Sequence, residues 1–308
     1  MAILVTGASG FVGRALIEKL LLYREYRIYA LSRHPPEAQD RVVPIKGDIT
    51  DENLGLKEVP EDIAAVYHVA GIHSLGKDRD GSIWRTNVQG TENVLAFCLR
   101  HKIRQLLFTS TAYSWPCNTY GLSKLRCESL IGEAVHYGYL KARIFKPSII
   151  MGTAKHPYPG HFSQFVRILV KVHLGAETVR RTVEEALALP RIEPVFRVQG
   201  NPQGHLNLVS IDDVVDAMLY IQRSGTYYLT NPSPPTLEQL FEWIGEYIKT
   251  NLRFLPSFKP TPLEYQFQKM AKPFAPYLDG DSFPSHLSHH TPIDQFFIER
   301  TLKRNLTP

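Results

Sequence analysis

Apolar and polar positions run along this chain in two rhythms that replace one another at short intervals. Ile3, Leu4 and Val5 form an apolar, partly β-branched run with the width of a buried strand. Phe11, Val12, Ala15, Leu16, Ile17, Leu20 and Leu21 then recur with helical spacing. Residues 27–32, 41–48, 63–71, 104–111 and 141–148 read as further strands, and helical patterns lie between them at 11–22, at 82–101 and from Tyr120 to about Tyr137, with a weak one near 51–58. Repeated βα units with near-continuous apolar strands predict an α/β fold: a doubly wound parallel sheet, of Rossmann type, covered by helices on both faces.

The regularity breaks after Met151. Residues 154–162 carry Pro157, Pro159, Gly160 and two histidines, and an amphipathic stretch follows from about 162 to 188. "HLNLVSIDDVVDAMLYIQ" returns to a strand and a helix, and "TYYLTN" reads as one more strand. From 251 onward the chain is rich in Pro, Phe and Tyr, with little period. The expected organisation is a dinucleotide-binding domain at 1–152 with a return segment at about 203–230, and a smaller C-terminal substrate lobe built from 153–202 and 231–308. The aromatic content of the tail predicts an ordered lobe rather than a disordered one.

Composition narrows the function classes. The 308 residues carry a formal net charge of +5, and the basic residues are scattered apart from pairs such as Arg180-Arg181 and Lys303-Arg304, which argues against nucleic acid as a partner. No apolar run is long enough to cross a bilayer, and a strand that starts at residue 3 leaves no room for a leader peptide. Cys98, Cys117 and Cys127 form neither a CxxC pair nor an even set, so reduced thiols and a cytoplasmic setting are expected, with Cys127 as a small core residue. His286, His289 and His290 in "HLSHH" lack an acidic or thiol ligand at a recognised spacing, and no metal site is expected.

The glycines of "ILVTGASGFVG" fall on the first strand-to-helix turn. Gly7 suits a positive φ, Gly10 allows close approach of the backbone to a bulky group, and Gly13 allows the helix to lie close; with the helix N-terminus behind them they predict a pyrophosphate cradle. Farther on, Tyr120 and Lys124 are four apart on one helix face. A nearby ammonium lowers the pKa of a phenol and makes it a usable proton donor and acceptor near neutral pH. Thr111, at a strand end, offers a hydroxyl to a substrate oxygen. Taken alone, the Tyr–Lys spacing is more often that of a surface pair.

Together these residues resemble the extended short-chain dehydrogenase/reductase family, over about residues 1 to 230. The matches run in the family's order: Thr6-Gly7-Ala8-Ser9-Gly10-Phe11-Val12-Gly13 as TGxxGxxG, Asp48-Ile49 after the third strand, Ala70-Gly71 after the fourth, and Asn87 in "TNVQGTENVL". They continue with Ser110-Thr111, Tyr120 to Lys124 as YxxxK, Pro147-Ser148, and "LVSIDDVVDAM" at 208–218. The resemblance implies that Tyr120 is the general acid or base, that Lys124 is its pKa partner and ribose clamp, and that Thr111 binds the substrate oxygen, with Ser110 as fallback. It places Asp48 and Ile49 beside the adenine, Ala70 and Gly71 along the cofactor cleft, and Pro147, Ser148 and Ile149 beside the nicotinamide. Asn87 is counted among the cofactor residues. Only eight residues separate Thr111 from Tyr120, fewer than in many relatives.

The second strand ends in Ser32 and Arg33 instead of an acidic residue, which favours NADP over NAD, since Arg33 can pair with a 2′-phosphate. The expected function is therefore hydride transfer between NADP and a carbonyl or alcohol of a small, hydrophobic substrate. "KPSIIMG" and the aromatic tail bear a loose likeness to reductases of acyl thioesters and hydrophobic aldehydes. Phe254, Phe258, Tyr265, Phe267, Phe274, Tyr277 and Phe283 give the lobe an apolar character that suits such a substrate, and core packing accounts for them equally. The alternatives are a sugar-nucleotide epimerase or dehydratase that retains NAD, and a non-catalytic NADP-binding sensor or assembly protein. A homodimer is left open.

Overall fold

A computed structural model of the chain describes residues 2–23, 26–115, 118–188 and 195–306; Cys117 lies outside them. The chain begins β1 (Ala2–Thr6), α1 (Phe11–Tyr23), β2 (Arg27–Ser32), β3 (Val42–Lys46), β4 (Ile63–His68), α2 (Ser82–Trp84), α3 (Gly90–Arg100), β5 (Gln105–Thr109), α4 (Thr119–His136) and β6 (Lys141–Pro147). It continues β7 (Ile149–Met151), α5 (Gly160–Ala186), β8 (Phe196–Gln199), β9 (Leu208–Ser210), α6 (Ile211–Tyr220), β10 (Gly225–Leu229), α7 (Leu237–Ile248), β11 (Leu252–Leu255), α8 (Pro262–Met270) and α9 (Gln295–Leu306).

These elements divide into two compact units, the first from residues 1–148, 211–230 and 284–289, the second from 149–210, 231–283 and 290–308. The first holds a seven-stranded sheet in the order β10-β6-β5-β4-β1-β2-β3, parallel throughout. Strand residues alternate between its faces. Ala2, Leu4, Leu31, Val66, Leu106 and Phe108 pack with Val94 and Phe97 of α3 and with Cys127 and Ile131 of α4 in one core. On the other face α1 packs beside α6. This is the Rossmann-like α/β arrangement that the periodicity predicts. The segment 284–289 lies along the outer side of β10, where Tyr228 N donates to His286 Nδ1 (3.0 Å), His286 N donates to Tyr228 O (2.9 Å) and Thr230 Oγ1 donates to Pro284 O (2.7 Å).

Several elements differ from the sequence expectation. The helix expected over 82–101 is interrupted by a π-helical turn, Arg85–Gln89, in which Gly90 N reaches Arg85 O. The weak helix near 51–58 is only a turn at Glu52–Gly55, with Asn53 and Leu54 at φ 53° and 60°. Leu54 is fully buried in the core, and that burial holds a conformation a leucine otherwise avoids. The strand expected at 63–71 stops at His68. The strand expected at 141–148 stops at Pro147, and β7 begins a separate pairing with β9 in the second unit. Residues 203–210, expected with the return segment, thus fall in the second unit, and 284–289, expected in the lobe, fall in the first.

The second unit carries two further parallel pairs, β7 with β9 and β8 with β11, and the helices α5, α7, α8 and α9. Its centre is aromatic: Phe165 meets Phe241, Phe267 and Phe274 edge-on, and Phe254 lies against Phe241. Phe254, Phe267 and Tyr277 are buried and Tyr265 is exposed, so much of the aromatic content of the tail is core. Thr261 and Glu264 form a capping box on α8 with Pro262 in its first turn.

Candidate functional site

The cradle follows from three glycines with three different constraints. Gly7 has φ +72°, and a Cβ there would lie 2.7 Å from the backbone of Ala70, so both conformation and space demand glycine. A Cβ on Gly13 would meet Gly7 O at 2.2 Å; the helix lies against the turn itself. Gly10 is exposed, its N donates to Gly7 O (2.9 Å), and a Cβ there would meet only that oxygen, at 3.1 Å. α1 starts immediately after, with the first-turn N–H groups and the positive end of its dipole at the turn. Arg14, which sequence reasoning passed over, donates from Nε to Ser9 O (2.8 Å) and adds a cation beside the cradle.

A buried chain of polar side chains starts at the end of β1. Thr6 Oγ1 and His68 Nδ1 are 2.8 Å apart, His68 Nε2 and Thr91 Oγ1 3.1 Å, and Thr91 donates to Asn87 O at 2.6 Å. Burial, and secondarily the charge of Lys124, push His68 down to about 3, so its ring is neutral and ties β1 and β4 to α3. His68 too was missed; its signal is a lone histidine at the end of the "IAAVYH" strand.

Asn87 is buried, and its amide is engaged within the protein. Its Oδ1 accepts from Ile72 N (2.8 Å), and its Nδ2 donates to Ile72 O (2.9 Å) and Ser123 Oγ (2.8 Å), which commits both amide protons. It holds the loop after β4 against α4, where Ser123 Oγ donates to Tyr120 O (2.7 Å). α4 begins at a side-chain cap, Asn118 Oδ1 accepting from Gly121 N (2.8 Å), which places Tyr120 in its first turn and Lys124 in its second. Lys124 is 6% exposed; its Nζ donates to Thr109 O (2.8 Å), sits 4.8 Å from the centre of the Phe108 ring, and lies 3.3 Å from where a Cβ on Gly71 would be. Burial lowers its pKa below the usual lysine value. Tyr120 is half-buried.

The two hydroxyls after β5 differ. Ser110 Oγ donates to Glu128 Oε1, and Glu128 Oε2 accepts from the buried Lys146 (2.8 Å), which also donates to Ser114 Oγ (2.7 Å). Thr111 Oγ1 only accepts, from Tyr113 N (3.2 Å), so its proton is uncommitted among the described residues. Glu128 and Lys146 were invisible as a pair because the contact is tertiary.

The remaining residues of the expected cofactor site lie at and just beyond strand ends. Asp48 accepts from Thr50 N and Oγ1, each at 2.9 Å, in a tight turn. The Ile49 side chain is buried against Gly90, so that position offers backbone rather than side chain at the surface. Ser32 and Ser148 are buried with hydroxyl oxygens that have no partner among the described residues, and such groups are costly unless a ligand satisfies them. Arg33 is exposed at the end of β2. Ala70 N points to Thr6 Oγ1 (3.5 Å), and Pro147 O accepts from Ala112 N (2.8 Å). Ile149 opens β7 in the second unit. A glycine cradle on a helix start, followed by orphaned hydroxyls at two strand ends, fits a dinucleotide.

Comparison with known proteins points the same way. The sequence profile of the NAD dependent epimerase/dehydratase family matches residues 3–227. A 2-alkyl-3-oxoalkanoate reductase of Stenotrophomonas maltophilia is 40% identical over 113 residues, 36% of this chain and 33% of that protein. A UDP-glucose 4-epimerase of Vibrio cholerae is 25% identical over 242 residues, 71% of this chain and 65% of that one. The chain therefore spans about a third of that reductase and just under two thirds of that epimerase. Among solved structures, the terminal R domain of the myxalamid PKS-NRPS biosynthetic pathway is similar with a TM-score of 0.73 at 22% identity, covering 99% of this chain and 90% of that one. The UDP-glucose 4-epimerase of Thermus thermophilus, in complex with NAD, gives 0.63 at 19% identity over 99% of each chain. At these identities the two structures speak for the fold, while the profile, carried by nearly the whole of the large sheet and its turns, shows that this chain belongs to the NAD-dependent epimerase/dehydratase family of extended short-chain dehydrogenases/reductases.

Proposed function

We propose that this chain is an NADP-dependent oxidoreductase that interconverts a carbonyl and an alcohol on a small hydrophobic molecule. The observation that carries the reading is Lys124: a buried ammonium held by one backbone carbonyl, on the same helix face as Tyr120 and next to Gly71. Such a charge is expensive to bury, and it stabilises a phenolate one turn away. When bound, the nicotinamide supplies or accepts the hydride. Thr111 donates its uncommitted proton in a hydrogen bond to the substrate oxygen. In the reducing direction the carbonyl carbon gains a hydride, its oxygen takes the Tyr120 proton, and Tyr120 is reprotonated from solvent. Asn87 and Ser123 hold the start of α4 so that these groups stay in register.

Arg33 supports NADP, because its guanidinium stands at the end of β2 with no carboxylate beside it on that strand. The buried thiols Cys98 and Cys127 suit a reducing compartment such as the cytoplasm; none of the described helices is long and apolar enough to cross a membrane. A second reading, an epimerase or dehydratase that retains NAD, is favoured by the Vibrio cholerae relative, whose match covers more of this chain than the reductase match.

Cofactor titration by fluorescence separates the two. The protein is expected to prefer NADPH. Arg33→Asp is expected to weaken NADPH binding by about one to two orders of magnitude, the worth of a charge-assisted contact, while NADH binding holds or improves. A wild-type preference for NADH, or NAD released on denaturing the purified protein, moves the assignment to the second reading. Turnover of NADPH with a panel of aldehydes, ketones, quinones and acyl thioesters then tests the substrate class; no turnover with any of them favours a binding-only role.

A further inference from the structure

A cavity of about 790 Å³ opens on the face of the large sheet that carries α1 and α6. It lies toward the amino-terminal ends of β4, β5 and β6, whereas the glycine cradle sits beyond the carboxyl end of β1. Its floor includes Ala65, Gln105 and Arg143. Arg143 is 8% exposed and donates from Nη1 to Ile221 O (2.8 Å), and among the described residues no carboxylate lies within ion-pair distance of it. A guanidinium carries five N–H donors, and one used this way leaves the others for whatever fills the space. Burial depresses its basicity, the expected response of a cation with too little compensation.

The walls restrict what that occupant is. Tyr26, Tyr67 and Tyr220 line the cavity, and Leu20 and Leu219 add apolar side chains. Asp213 and Asp216 are also among the lining residues, and Asp216 pairs with Lys19 (2.6 Å). Two carboxylates in the same lining disfavour a dianion such as a phosphate monoester more than an anion of single charge. The volume is that of a site for a small organic molecule, and ring surfaces favour a flat apolar body.

We propose that this cavity is a second ligand site, which binds a small aromatic monocarboxylate with its carboxylate on Arg143 and its ring among the tyrosines. The site is separate from the dinucleotide cradle, and its test needs neither cofactor nor turnover.

Calorimetric titration of the full chain with 3-phenylpropionate checks it, with 3-phenylpropanamide and phenyl phosphate as controls and thermal melting in parallel. Saturable one-to-one binding of the carboxylate is expected, with a rise in melting temperature, and binding of both controls is expected to be weaker by about tenfold or more. Arg143→Met is expected to lose the carboxylate by about one to two orders of magnitude without melting lower than the wild type, since it removes an uncompensated buried charge. Leu219→Trp, which leaves Arg143 in place and fills the space, is expected to lose it as well, so the test survives if one variant folds poorly. The absence of saturable binding to the wild type, equal affinity for the amide, tighter binding of phenyl phosphate, or undiminished binding in both folded variants overturns the proposal.

Discussion

The sharpest expectations attach to single atoms at the glycine turn. At Gly10 a Cβ meets only one oxygen, at 3.1 Å, while at Gly13 it meets the same oxygen at 2.2 Å. Gly10→Ala is therefore expected to leave the melting temperature nearly unchanged and to weaken dinucleotide binding by about tenfold or more, because the added methyl occupies the approach path of the phosphates. Gly13→Ala is expected to lower both, with a stability loss of about 1–3 kcal/mol as α1 is pushed off the turn, read from urea unfolding. At the other end of the site, Tyr120→Phe is expected to abolish turnover while NADPH affinity stays within a few-fold, and Lys124→Met to impair both. Turnover of Tyr120→Phe comparable to that of the wild type would remove Tyr120 from the chemistry. The motif residues at these positions were legible because backbone and covalent spacing fix them locally. His68 was not, since one polar letter at the end of an apolar strand carries no sign of the two hydroxyls that will flank it.

At the level of elements, the strands of the large sheet and the helices α1, α4 and α6 were readable from period alone, since each buries one continuous apolar surface. The π-helical turn at Arg85–Gln89 was not, because one extra residue in a turn changes no composition; it shows only in hydrogen bonding, where Asn87 O accepts from the side chains of Thr91 and Cys127. The tie between β6 and α4 was equally hidden. Lys146 is buried and Glu128 partly so (side chains 7% and 16% exposed), and they lie on elements joined by nothing local. Removing one charge strands the other, so Glu128→Gln is expected to cost about 3 kcal/mol in urea unfolding, and Lys146→Met in the same chain to recover most of it. Additive losses in the double variant would mean that the two side chains do not act as a pair.

For the whole molecule, the two units carry different acid-sensitive groups. His68 in the first unit titrates at about 3 when folded and near 6.5 when unfolded, so the unfolded chain binds the proton first and stability is lost as pH falls from 6.5 toward 3. In the second unit burial raises the pKa of Glu264, but hydrogen bonds from Arg197 and Thr261 outweigh it and bring it to about 2; the resulting stability is present above the ordinary 4.5 and is lost as pH falls through that value toward 2. His173 in the second unit is also held below 6.5 by burial, so both units are expected to weaken as pH falls below that value, and the second additionally loses the Glu264 contribution at lower pH. Fluorescence of Trp243 in a Trp84→Phe/Trp115→Phe chain reports the second unit, and Trp243→Phe reports the first; an acid transition of the second unit that Glu264→Gln leaves unmoved would contradict the assignment. This division was only partly legible, because the second unit's core is assembled from rings such as Phe165 and Phe267 that lie far apart in the chain. The first unit, too, is discontinuous, and this bears on the order in which a ribosome delivers it. When β6 has emerged, its outer edge has no neighbour, and residues 149–210 must be made before β10 can pair there. β10 in turn waits for residues 284–289 to cover its own outer side. A nascent or truncated chain that ends before these pieces offers a bare strand edge to any other extended polypeptide, so this protein's exposure to misassembly is set by the order of its synthesis as well as by its final stability.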